Sequence, residues 1–100
     1  TERKIPLPAG VDLHARPLTL IVALVNHHNT PVQMILVGQP ANAASILSLL
    51  LLVGAHPGQR EVSFRGSKEV LDDIQLLIEY GLGENGQQVL PERLRTLLRL

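Results

Sequence analysis

Across Gly66 the apolar pattern of this chain changes period. Before it, in REVSFRG, Val62 and Phe64 alternate with Arg, Glu and Ser, the pattern of a strand with one buried face. After it, in KEVLDDIQLLIEYG, the residues Val70, Leu71, Ile74, Leu77 and Ile78 recur at helical spacing opposite Lys68, Asp72, Asp73, Gln75 and Glu79. A strand pattern forced into a helix would send half of its apolar side chains to water, and the reverse holds for a helix pattern. The two stretches therefore commit the chain to a fold that sets a sheet against helices. Ser67 stands where the helix needs an N-terminal cap, and Gly81 where a left-handed residue would end it.

The same reading extends along the chain. RKIPLP alternates Ile5 and Leu7 with polar or proline positions, and its two prolines confine it to a sheet edge. From Pro17, in a first-turn position, Leu18, Ile21, Val22 and Val25 predict a helix over 16–27. VQMILVG places Val32, Met34 and Leu36 on one face and Gln33, Ile35 and Val37 on the other, a strand stopped by Gly38. QPANAA leaves room for a hairpin and a brief third strand over 39–43. SILSLLLLVG reads as a leucine-rich helix with Ser45 at its cap or first turn and Gly54 as its stop. LPERLRTLLRL begins at Pro91 and carries Leu94, Leu97 and Leu98 on one stripe, after the linker-like GENGQQV.

The element order predicts an α+β fold, a four-stranded antiparallel sheet covered on one face by three helices, plus a C-terminal extension. Residues 1–84 form one domain in this reading, and 85–100 a linker with a short amphipathic helix. That tail suits either the join to a further domain or an oligomer contact, and the opening Thr1 fits a domain cut from a longer protein.

Composition narrows the function. Aromatic residues make up 2% of the chain and nine Lys and Arg balance nine Asp and Glu, so neither a stacking platform nor a basic field favours nucleic acid or an anionic membrane. The absence of cysteine excludes a disulfide framework, a thiolate metal site and a thiol nucleophile. The longest apolar run is far short of the roughly 20 residues of a membrane span, so a cytoplasmic protein without membrane insertion is expected. The adjacent His27 and His28, like His56, read as solvated residues near element ends, with no metal site expected.

The chemistry concentrates in VDLHARPLTLIVAL. Histidine titrates near neutrality, so His14 at a loop-to-helix junction is available as an unprotonated nucleophile. A phosphoryl group on it would lie beside the first-turn N–H groups, where Ala15 and Pro17 begin the helix and the dipole favours an anion. Arg16 adds a planar cation that matches phosphate oxygens. Taken alone, H-x-R-P also fits a solvated surface histidine.

LHARP at a helix start, followed by GQPANAASIL and GSKEVLDDIQLLIEYGLGE, resembles the HPr phosphocarrier family of the bacterial phosphoenolpyruvate-dependent sugar phosphotransferase system, over about residues 3–84. The resemblance implies an open-faced sandwich and a carrier, not an enzyme, with no cofactor of its own. It implies that His14 takes a phosphoryl group on Nδ1 from Enzyme I and passes it to IIA proteins, with Arg16 as the active-site arginine. Ser45 corresponds to the serine that a dedicated HPr kinase modifies in many bacteria, although it also fits a plain helix cap. Leu18, Leu20, Leu47, Leu50 and Leu51 are candidates for the apolar docking patch, against ordinary core packing. A regulatory docking module switched at Ser45 is the alternative reading, and an HPr domain excised from a fused phosphotransferase another. Where the family usually has Asn-Gly before Leu-His, this chain has Val11-Asp12, which sets an acidic group beside His14.

Overall fold

The computed structural model describes residues 1–83 and 89–99. Strand β1 is Glu2–Pro6, helix α1 Ala15–His28, strand β2 Gln33–Leu36, strand β3 Gln39–Asn42, helix α2 Ile46–Ala55, strand β4 Glu61–Arg65, helix α3 Lys68–Glu79 and helix α4 Glu92–Leu98. The sheet order is β1-β4-β2-β3 with every neighbour antiparallel. This is the expected open-faced sandwich: one face of the sheet carries the helices, and the other faces solvent.

Alternation decides the faces. Ile5, Met34, Leu36, Val62 and Phe64 point inward and are buried, and Phe64, the one phenylalanine of the chain, lies fully enclosed. On the open face Arg65 bridges Glu2 (2.8 Å) and Gln33 (3.3 Å), its cross-strand partners on either side. The prolines Pro6 and Pro40 sit on the two edge strands, β1 and β3, where a missing N–H disturbs the ladder least.

Turns follow local chemistry. Val37 and Gly38 join β2 to β3 with φ of 49° and 75°, a hairpin turn that matches strand twist but asks a β-branched residue to adopt a left-handed conformation. Gly81, Leu82 and Gly83 all have positive φ (77°, 53° and 74°), so α3 ends in the left-handed residue expected at Gly81 and the chain folds Leu82 into the core. Gly54 does not stop α2, which runs on to Ala55 with His56 as its cap. Gly54 has no positive φ, so it supplies no left-handed cap and continues the last turn.

Two further expectations change. Asp73, assigned to the solvated side of α3, is 4% exposed. It faces the end of α1 and the start of α4, where His28 and Arg93 meet it, and so His28 is likewise not a solvated histidine. The tail helix finds a surface on its own chain: Leu90 and Leu94 join the buried core, and Leu97 and Leu98 pack against it. The expected boundary between residues 84 and 85, and most of the linker-like GENGQQV, lie outside the described residues.

Candidate functional site

His14 is the N-cap residue of α1, extended at φ −132° and ψ −174°, and its imidazole makes no capping bond to the helix. The side chain is exposed, as are those of Ala15 and Arg16, while Pro17 is buried as the third helical residue. The first intrahelical bond runs from the Leu18 N–H to the His14 carbonyl at 3.1 Å. The Ala15 and Arg16 amides therefore lie ahead of the ladder, at the positive end of the helix dipole. No acidic residue occupies the first turn. Thr19 Oγ1 donates to the Arg16 carbonyl (2.6 Å), fastening the turn that carries the arginine. A histidine, a guanidinium two residues on and a helix start thus share one corner of the molecule, a setting suited to an anionic group carried on the imidazole.

Asp12, the acidic residue in the preceding loop, is paired with Arg60. Arg60 Nη1 donates to Asp12 Oδ1 (2.7 Å) and its Nη2 to the Pro8 carbonyl (2.8 Å), so a cation compensates the charge next to the His14 loop. No local pattern in the sequence pairs residues 12 and 60. Only the antiparallel return of β4 beside β1 brings them together.

Ser45 caps α2, its Oγ accepting the Ser48 N–H at 3.2 Å. The α2 leucines divide by face: Leu49 and Leu52 are buried, whereas Leu47 (63%), Leu50 (39%) and Leu51 (66%) stand exposed. Those three remain available for docking. Leu18 does not, because it lies on the stripe of α1 that faces the core and is fully buried. Leu20 is half-buried beside the turn after α3, where a Cβ on Gly83 would come within 3.2 Å of its Cδ1. Among the described residues, no group of three His, Cys, Asp or Glu side chains is arranged to hold a metal ion. Among them, too, no helix is long and apolar enough to cross a membrane.

The model of the HPr component phosphorylation site of the phosphotransferase system matches residues 1–79. The chain belongs to the HPr family. Its fold is similar to that in the crystal structure of HPr-C-His from Thermoanaerobacter tengcongensis, with a TM-score of 0.73 and 24% sequence identity over 85% of this chain and 98% of that one. The HPr fold is therefore present almost whole. Among curated proteins none matches the chain. Family and fold together support a phosphocarrier role in the phosphotransferase system, that of a carrier and not of a catalyst in the usual sense.

Proposed function

We propose that His14 is the phosphoryl-carrying residue, that Enzyme I is its donor and that IIA proteins are its acceptors. One observation carries this reading: His14 is exposed at the N-cap of a 14-residue helix whose first turn holds no acid, with Arg16 two residues on. The imidazole nitrogen attacks phosphorus, and the phosphorus–nitrogen bond forms as the bond to the donor breaks. The charge spreading over the phosphoryl oxygens meets the Arg16 guanidinium and the positive end of α1. Transfer to an acceptor reverses the same step.

Leu47, Leu50 and Leu51 form the proposed docking face for these proteins, since apolar side chains exposed together on one helix favour contact with a partner surface. Ser45 lies at the head of the same helix. A phosphate there would keep a favourable position at the helix start while changing the charge of the face that partners meet, and that is the form of control proposed for it.

The test is phosphorylation by Enzyme I with phosphoenolpyruvate and Mg²⁺. His14→Ala is expected to lose all acid-labile label, and a fully labelled variant would move the site elsewhere. Arg16→Ala is expected to keep its fold and slow transfer on the order of a hundredfold, as removal of one charge-stabilising donor does elsewhere.

A further inference from the structure

A cavity of about 300 Å³ opens directly beside the His14 loop, walled by Asp12, Leu13, Leu36, Val53, Gly54 and the segment from His56 to Gln59. Its volume is at the lower end of the range for ligand pockets. Its position is more informative than its size. One wall is the loop that leads into His14, and the opposite wall is the last turn of α2, whose exposed face carries Leu47, Leu50 and Leu51. The cavity thus lies where the loop before His14 meets the last turn of the helix that carries the leucine face.

The lining selects an occupant. Leu13, Leu36 and Val53 make an apolar floor. At the rim α2 presents its carbonyl end, the negative end of the helix dipole, with no basic residue in the last turn and His56 as its cap. Asp12 adds a carboxylate whose side chain is 75% exposed, and only its Oδ1 is taken by Arg60, which leaves Oδ2 as an acceptor. A group with an apolar stem and a head rich in donors fits both parts, and arginine has that build.

We infer, on the phosphocarrier reading above, that this cavity receives an arginine side chain of the phosphoryl donor protein, the stem lying on Leu13 and Val53 and the guanidinium meeting Asp12 Oδ2 and the α2 carbonyl end. Asp12 is then a partner-specificity residue, not part of the transfer chemistry. Arg60 moderates its charge.

Three substitutions in the full chain separate this role from others. Gly54→Leu adds an aliphatic side chain at the cavity wall, where an added Cβ meets nothing within 4 Å and the φ is not positive, so the fold tolerates it. Asp12→Asn removes the charge at constant size, and Arg60→Gln exposes it.

The first arm is a titration of the ¹⁵N-labelled protein with n-propylguanidinium, with n-propanol and sodium chloride as controls. Saturable shifts are expected at the amides of Leu13, Val53, Gly58 and Gln59, weakened in Asp12→Asn and abolished in Gly54→Leu. Shifts that do not saturate, or that n-propanol reproduces, would overturn it. This arm needs no phosphoryl transfer, so it stands or falls apart from the labelling of His14.

The second arm is transfer from Enzyme I. KM is expected to rise about two- to fivefold in Asp12→Asn, the size of a rim-charge contribution, and to fall in Arg60→Gln, with kcat unchanged in both. A higher kcat in Asp12→Asn would contradict the inference, because it would mean that the carboxylate acts on the phosphoryl group itself.

Discussion

Arg93 grips both oxygens of the Asp73 carboxylate, Nε to Oδ1 at 2.7 Å and Nη2 to Oδ2 at 2.9 Å. His28 Nε2 closes the group at 2.7 Å from Oδ2. Three elements meet there: the end of α1, the middle of α3 and the first turn of α4. Burial pushes the Asp73 carboxyl up, but the hydrogen bonds and charges of Arg93 and His28 outweigh it and hold the group below its ordinary value. A bidentate charged pair fixes geometry as well as sign, so α4 is clipped to the body of the fold in addition to resting on it through Leu90 and Leu94.

Removing the clip should loosen α4 before anything else. Arg93→Gln is expected to raise amide exchange throughout Glu92–Leu98 while the β4 and α3 amides stay protected, because α4 is short and its burial is concentrated at Leu94. Hydrogen exchange read by mass spectrometry checks this, and uniform loss of protection across the chain would contradict it.

Acid should act through the same carboxylate. Its value in the folded protein is lowered, so its contribution is fully present above the ordinary carboxyl value of about 3.9 and is lost as pH falls through the lower folded value. Asp73→Asn is therefore expected to destabilise the protein at neutral pH and to flatten the acid limb of its stability curve below pH of about 4. Urea denaturation at a series of pH values reads both effects. An unchanged acid limb would mean that other carboxylates dominate it.

The β2–β3 hairpin turn leaves stability to be gained. Val37 is 62% exposed with φ of 49°, so its side chain contributes little burial and strains the backbone. Val37→Asn gives the Asn-Gly pair that such turns favour and should stabilise by about 1 kcal/mol, measured by thermal or denaturant unfolding. A loss of stability would show that the valine makes a compensating contact.

Ser45 performs a capping task whatever else happens to it. Ser45→Ala should cost about 1 kcal/mol, whereas Ser45→Asp keeps an oxygen for the Ser48 N–H and should cost little. Equal losses in the two variants would dissociate stability from the cap.

What the sequence disclosed was what is local. The alternation of Val62 and Phe64, the helical stripes of α1 and α3, the cap at Ser45 and the left-handed Gly81 each follow from residues within one or two turns of one another. His14 and Arg16 were legible for the same reason, being two positions apart at a helix start. Asp73 was not. Beside Asp72, which is exposed and paired with Arg3 and Lys68, it looks like another solvated carboxylate. Its burial depends on His28 and Arg93, distant in the chain on either side. Leu18 and Leu20 could not be separated by type, since only the docking of α1 onto the sheet tells the core stripe from its neighbour. The Asp12–Arg60 pair and the cavity beside it are products of topology, assembled from segments that share no pattern.

The proposed chemistry of the carrier rests on one atom, Nδ1 of His14. The direct measurement is phosphorus NMR with intact mass on the chain after incubation with phosphoenolpyruvate, Mg²⁺ and Enzyme I. A single added phosphate is expected that is acid-labile, resonates as an Nδ1 phosphohistidine and is absent in His14→Ala. Label that persists in His14→Ala, or no label on the wild-type chain while a control carrier is labelled, would contradict it.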